Sequence, residues 1–323
     1  MPGYPIKFEP ILKEKIWGGN KLHLILHKDS NNQNLGESWE ISGVENDISI
    51  VSNGSLRGRS LEDLIKEYKE DLLGTGIYRQ FGEKFPLLIK FIDAKTELSV
   101  QLHPNDKLAR KRHNSFGKTE MWYILQADEG AEINIGFKNT IDRDTYLKHL
   151  DNGTITSLLN FEKVKTGDAF LINTGKVHAI GGGVLLAEIQ QTSDITYRIY
   201  DWDRKDENGN SRELHTSQAL DAIDFEVKED FQLSYHPETN KPSNVVSNQY
   251  FSVNFLPVQG KLVRDHSALD SFIIYMCTNG NAVISVNDHS VEISKGETLL
   301  IPAICKFIDI RAHHAELLEI YIV

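Results

Sequence analysis

The sequence predicts a mainly β protein in which two related β-modules carry short helical insertions. Three observations predict it. Short apolar alternations punctuated by Gly and other turn formers run through most of the chain, as strands joined by tight turns require. The segment Gly167-Asp168-Ala169-Phe170-Leu171-Ile172-Asn173 is echoed by Gly296-Glu297-Thr298-Leu299-Leu300-Ile301-Pro302. In both, a turn Gly and an acidic residue lead into a short apolar strand that ends on a turn former, the mark of a repeated module. Helical periodicity, in contrast, is confined to short stretches.

The clearest helix covers 61–73, where Leu61, Leu64, Ile65, Tyr68 and Leu72 form one apolar stripe. Ser60 and Asp63 resemble a capping box, with Asp in place of Glu or Gln, and Gly74 closes the far end. Further short helical stretches are expected at 143–150, 155–159 and 217–223. The polar stretch 236–244 separates the two copies of the repeat and reads as a linker. Residues 1–240 are therefore expected to form one unit and 241–323 a second.

A chain of 323 residues with 40% hydrophobic and 25% charged residues has the composition of a soluble globular protein. A formal net charge of -11 argues against nucleic acid as a partner, because phosphate backbones demand a basic face. It leaves room for a small anion met by a few placed Lys or Arg. No stretch approaches the roughly 20 apolar residues of a membrane-spanning helix. Residues 1–5 lack the basic and apolar regions of a secretory signal. With only Cys277 and Cys305 there is no disulfide framework. A cytoplasmic location is the expectation.

Three segments carry the chemistry. In Leu98-Ser99-Val100-Gln101-Leu102-His103-Pro104, strand alternation sends Leu98, Val100 and Leu102 to one face and Ser99, Gln101 and His103 to the other. Pro104 ends the strand, which places His103 near a rim. In the segment beginning Gly117-Lys118-Thr119-Glu120-Met121-Trp122, Glu120 enters an apolar strand where an unpaired carboxylate is costly to bury. Asn173-Thr174-Gly175-Lys176-Val177-His178 is a turn that delivers a His into the next strand. Two His, a carboxylate and an amide oxygen suit Zn²⁺, and the same set suits Fe²⁺, Mn²⁺ or Co²⁺. Lys90 and Arg198 sit in strongly apolar surroundings, where a surface ion pair is a weak explanation. For Lys176 a surface ion pair is the better reading.

The spacing Gly167, Asn173, Gly175, His178 matches the second cupin motif, with Asn where Pro is usual. Gln101, His103 and Glu120 resemble the first motif, with Gln for its first His. The fold implied is two cupin-type jelly-roll modules. The counterpart of His178 in the second module is Phe307, so that module is expected to hold no metal.

Across nearly the whole chain the sequence resembles the type I mannose-6-phosphate isomerases in their short bacterial form. The resemblance rests on Phe8-Glu9-Pro10, Ile16-Trp17-Gly18-Gly19, Gly36-Glu37-Ser38-Trp39-Glu40, Pro86-Leu87-Leu88-Ile89-Lys90 and Gln101-Leu102-His103-Pro104. It continues through Lys118-Thr119-Glu120-Met121-Trp122, Gly175-Lys176-Val177-His178-Ala179 and Ser193-Asp194-Ile195-Thr196-Tyr197-Arg198. Thr119 stands where longer relatives usually have Pro. The resemblance implies one Zn²⁺ per chain on Gln101, His103, Glu120 and His178. It places Lys90 and Trp17 against a phosphorylated hexose, Arg198 on its phosphate or an oxyanion, and Lys118 and Asp194 as acid/base candidates. The implied reaction interconverts mannose 6-phosphate and fructose 6-phosphate through an enediol, in a monomer or homodimer. The alternatives are an isomerase of another phosphorylated aldose, a cupin dioxygenase, and a non-catalytic sugar-binding cupin.

Overall fold

Alternation and turn residues along the chain yield three antiparallel sheets and one small hairpin in the computed structural model, which describes residues 1–29, 34–205, 208–227 and 231–323. The first sheet runs in the order Ile11–Gly19, Leu35–Ile41, Leu87–Ala94, Val184–Gln191, Glu120–Ala127, Ala169–Ile172. The second runs Tyr197–Tyr200, Val100–Leu102, His178–Ile180, Glu132–Phe137, Leu159–Lys163. Ile92, Ile124, Phe170 and Leu186 of the first sheet share one apolar cluster with Ile133, Ile135 and Ile180 of the second. The two sheets thus pack face to face as the walls of one barrel.

The first sheet is buried on both faces, which is why its strands read as near-continuous apolar runs. Leu87, Ile89, Phe91, Met121, Tyr123, Leu185, Ala187 and Ile189 point outward, into a cluster shared with the helix Leu61–Leu73 and with Phe255, Phe272 and Ile320 of the second module. The inward row changes character along its length. Ala94, Ile92, Val184, Leu186 and Ile124 are apolar, whereas Lys90, Glu188, Gln190 and Glu120 on the same strands are polar yet buried. The barrel is therefore oily at one end and charged at the other.

The second module forms its own sheet in the order Ser243–Ser247, Ser252–Asp265, Phe307–Tyr321, Ile273–Val286, His289–Ser294, with Thr298–Ile301 also paired to Ile273–Val286. Three strands of 14, 14 and 15 residues, bent at bulges, curl around a separate apolar cluster. The repeat read from the sequence is a repeat of geometry. Gly167 and Gly296 have φ of +90° and +86°, a region that favours glycine. The carboxylate of Asp168 accepts from the Lys165 amide at 2.9 Å, and that of Glu297 from the Ser294 amide at 2.7 Å. The N-terminal segment reaches across to the second module, where Ile6 and Leu300 exchange backbone hydrogen bonds of 2.8 and 2.9 Å.

The helix at 61–73 forms as expected, with the Ser60 hydroxyl accepting from the Asp63 amide at 3.1 Å. The other expected stretches appear as the helix Arg143–Asp151, the 3₁₀ turn Ile155–Leu158 and the helix Thr216–Leu220. The one-turn helix Lys21–Leu24 was not legible, nor were the two longer helices Thr75–Phe81 and Asp106–His113. The second buries only Ala109 and so has no apolar stripe; the Asn105 cap and four basic residues in its last turn hold it instead. No helix of the described residues is long and apolar enough to cross a membrane.

Inside the second module, the fully buried Glu319 carboxylate accepts from Arg264 Nε and Nη2, both at 2.9 Å, from Tyr275 Oη at 2.9 Å and from Asn254 Nδ2 at 3.0 Å. Burial acts to raise its pKa, but His266 and Arg264 overcome that and hold it down at about 2. Glu319→Ala is expected to destabilise the protein by about 3 kcal/mol, the scale of breaking a buried ion pair. An unchanged denaturation midpoint would contradict this. Because the folded pKa is depressed, this stabilisation is complete above the ordinary carboxylate range and is lost as pH falls towards 2.

Candidate metal centre

The strand registers bring the sequence-predicted residues onto facing rows. In the second sheet, Arg198 lies opposite Gln101, and Gln101 opposite His178. Directly opposed residues in antiparallel strands project from the same face, so these three side chains stand side by side. In the first sheet, Trp39, Lys90, Glu188 and Trp122 form a matching row, and Glu120 lies opposite Gln190 one step away. Gly175 sets the approach of His178: its φ is +81°, and a Cβ there would lie 2.6 Å from the Ala222 carbonyl oxygen. Its amide also donates to the His103 carbonyl at 2.8 Å, tying the two His-bearing segments together.

His103, Glu120 and His178 converge with their potential ligand atoms within 4.8 Å of one another, and each is about 1% exposed. His103 Nε2 lies 3.5 Å from Glu120 Oε2, and His178 Nε2 lies 3.4 Å from Glu120 Oε1. His103 Nδ1 donates to the Ile195 carbonyl and His178 Nδ1 to the Lys176 carbonyl, both at 2.8 Å. Carbonyls only accept, so each Nδ1 carries the proton and each Nε2 of the neutral ring presents a lone pair to Glu120. Burial first, and Lys118 next, keeps His103 well below the usual imidazole range; burial lowers His178 to about 4. Burial and then Glu188 push the Glu120 carboxyl upward.

Both Nε2 atoms and Glu120 Oε2 are buried without a hydrogen-bond partner among the described residues. Converging lone pairs repel, and without a cation only uptake of a proton relieves them, the direction in which Glu120 is pushed. A divalent cation removes the conflict, and backbone carbonyls on the outer ring nitrogens are the usual support for metal-bound His. The residues fit a metal of the N/O-ligand class.

In front of the cluster opens a cavity of about 390 Å³ lined by Trp17, Lys90, Gln101, Lys118, His178, Asp194 and Arg198, large enough for a small ligand. His103 and Glu120 lie behind this lining. Lys118 Nζ is 3.5 Å from Glu120 Oε2. Lys90 is fully buried but donates to Glu188 Oε1 at 2.9 Å; burial works against its charge, and Glu188 and Glu37 outweigh it. Asp194 is exposed at the edge, and Arg198 is half-buried.

All nine sequence-predicted residues gather at this end of the barrel, with three differences in detail. His103 is buried behind the cavity, not on a rim, with the Ile195 carbonyl on its Nδ1 and the Gly175 amide on its own carbonyl. Leu98 leaves the face of Val100 and Leu102 and lines the cavity, since the strand begins only at Val100. Lys176 is not at the surface: it is buried, with its ammonium 4.2 Å from the Phe231 ring centre in a cation–π contact.

Glu37, Trp39, Glu188 and Arg212 also line the cavity and were missed. Glu188 accepts from Lys90 and, at 3.0 Å, from the Trp122 indole. Its signal was a carboxylate at the inward position of an otherwise apolar run, the same signal that marked Glu120.

A buried N/O set that could hold a metal, beside a cationic pocket in one of two linked β-barrels, defines the class as a cupin. Residues 6–138 match the model of the phosphomannose isomerase type I catalytic domain, and 241–322 that of the mannose-6-phosphate isomerase cupin domain. The chain is 34% identical over 299 residues to the mannose-6-phosphate isomerase of Streptococcus mutans, covering 92% of each chain. It is 34% identical over 302 residues to mannose-6-phosphate isomerase ManA of Bacillus subtilis, covering 92% of this chain and 93% of that one. The crystal structure of the mannose 6-phosphate isomerase from Bacillus subtilis superposes with a TM-score of 0.89 at 31% identity, over 99% of this chain and all of the other. The chain belongs to the type I phosphomannose isomerase family.

His103→Ala is expected to abolish metal retention, read as loss of the bound equivalent in elemental analysis. A full equivalent in that variant would contradict the ligand set.

Proposed function

We propose that the protein interconverts mannose 6-phosphate and fructose 6-phosphate, with one Zn²⁺ held by Gln101, His103, Glu120 and His178. The observation that carries this reading is the convergence of three buried ligand groups at a cavity lined with Lys and Arg, in a chain whose relatives bear that activity in their names. When bound, Zn²⁺ supplies Lewis-acid polarisation of substrate oxygens.

The chain's own groups then divide the remaining work. The sugar ring opens, and a proton moves between C1 and C2 through an enediol, which needs a proton-transfer group and stabilisation of charge on oxygen. Arg198 binds the phosphate: among the described residues no carboxylate lies within ion-pair distance of it, so its charge is available to an anion. Trp17 and Lys90 hold the sugar. Lys118 and Asp194 are the acid/base pair of candidates. Lys118, 3.5 Å from a ligand carboxylate, is better placed for the carbon-bound proton than the exposed Asp194. Residues 1–240 act as the catalytic unit, and 241–323 cover the outer face of its first sheet, where Phe255, Phe272 and Ile320 pack on it.

The purified protein is expected to convert mannose 6-phosphate faster than other aldose phosphates, to lose turnover on chelation and to regain it with Zn²⁺. Absence of turnover on every aldose phosphate by a folded, zinc-loaded sample would overturn the reading; preference for a different aldose phosphate would correct the substrate. Arg198→Ala is expected to raise KM about 10- to 100-fold, the scale of a charge-assisted hydrogen bond. An unchanged KM in steady-state kinetics would remove Arg198 from the phosphate site.

A further inference from the structure

Two arginines grip one carboxylate beside the cavity, and a third lines the cavity with one of them. Asp201 is buried and accepts from Arg212 through Nε at 2.7 Å and through Nη2, and it also accepts from Arg204 Nη2. Arg204 is otherwise committed to the main chain: its Nη1 donates to the Glu97 carbonyl at 2.6 Å and its Nε to the Asp201 carbonyl at 3.3 Å. It does not line the cavity. Arg212 does, as does Arg198.

Arg198 donates through Nε to Ser99 Oγ at 3.3 Å and through Nη1 to the Glu213 carbonyl at 2.9 Å. The carboxylate of Glu213 is exposed and outside ion-pair distance. Among the described residues, Asp201 is the only carboxylate within ion-pair distance of any of the three guanidiniums, in a protein whose net charge is -11. Burial first, and the charge of Arg212 second, press down on the pKa of Arg198. Both guanidiniums line the same cavity, and like charges gathered in one cleft favour the entry of an anion.

Arg212 is also presented in a particular way. Its Nε–Nη2 edge is taken by Asp201, which fixes the plane of the guanidinium and leaves Nη1 for a ligand. A pre-oriented planar fork is what phosphate recognition uses, and holding it in advance lowers the ordering required on binding. A group with two negative charges and three acceptor oxygens is complementary to two adjacent guanidiniums.

We propose that Arg212, oriented by Asp201, is a second phosphate-binding residue that grips the substrate phosphate together with Arg198. Asp201 acts as a positioning residue. The proposal rests on the sugar-phosphate reading of the cavity, deepens it, and locates the phosphate at the Arg198–Arg212 edge.

The test uses inorganic phosphate as the probe, titrated calorimetrically into the zinc-loaded full-length protein. The wild type is expected to bind one phosphate, and Arg212→Gln to weaken that binding tenfold or more with zinc content retained. Arg212→Lys, which keeps the charge and loses the two-point grip on Asp201, is expected to recover part of the affinity and guards against a folding defect in the first variant. In kinetics, the preference of Arg212→Gln for mannose 6-phosphate over mannose is expected to fall by a similar factor, chiefly through KM. A merely structural role would depress both sugars alike.

Phosphate affinity in Arg212→Gln equal to the wild type, or no phosphate binding by the wild type, would overturn the proposal. The two readings fail separately. Loss of phosphate binding in Arg212→Gln from a protein that turns over no aldose phosphate would sink the isomerase reading and keep the phosphate site. Turnover with undiminished phosphate binding in the variant would do the reverse.

Discussion

The structure turns on a buried conflict: one carboxylate, Glu120, set between the Nε2 lone pairs of two imidazoles that are both neutral at ordinary pH. Burying such a group without compensation is among the most unfavourable arrangements a protein can hold. Lys118, at 3.5 Å from one oxygen, offsets part of it and leaves the imidazole nitrogens unsatisfied. Nearly every local feature keeps those atoms facing each other: the two Nδ1–carbonyl hydrogen bonds, the glycine turn before His178, and the strand register that aligns His178 with Gln101. A fold that spends this much order on maintaining a repulsion is arranged for a cation.

The same barrel solves a second problem. An acidic chain must offer a positive pocket to an anionic sugar. It does so by placing Lys90, Lys118 and Arg198 on inward rows whose other ends are apolar, and by neutralising most cations locally. Lys90 is held by Glu188, and Arg212 and Arg204 by Asp201. Low-dielectric walls make the remaining charge count for more than it would on the surface. The second module keeps the outer face of that sheet dry and repeats its turn geometry around a different interior, in which Arg264 and Glu319 pair.

Much of this was legible in the sequence, for identifiable reasons. Residues that break a strong local pattern announce themselves: Glu120 in an apolar strand, Gln101 and His103 two apart on one face, Gly175 before His178. The repeated Gly-acid-strand segment disclosed two modules because the turn needs both the left-handed glycine and the carboxylate that caps it. What stayed hidden depended on contacts between segments far apart in the chain. The helix Asp106–His113 has no apolar stripe to read. Leu98 belongs to the cavity because the strand starts later than its alternation suggests. Lys176 looked like a surface residue because its partner ring, Phe231, lies 55 positions away in the sequence. Glu188 broke its pattern as clearly as Glu120 did and passed unread.

The most direct test of the central claim is to titrate Zn²⁺ into the chelated protein and follow heat and thermal unfolding together. The expected result is binding of one equivalent with a large rise in Tm, reflecting about 4 kcal/mol of added stability when free metal stands roughly 1,000-fold above Kd. Glu120→Gln, which removes the charge at the centre of the conflict, is expected to lose that rise. A chelated protein whose Tm does not respond to zinc, or a Glu120→Gln variant that responds like the wild type, would contradict the account.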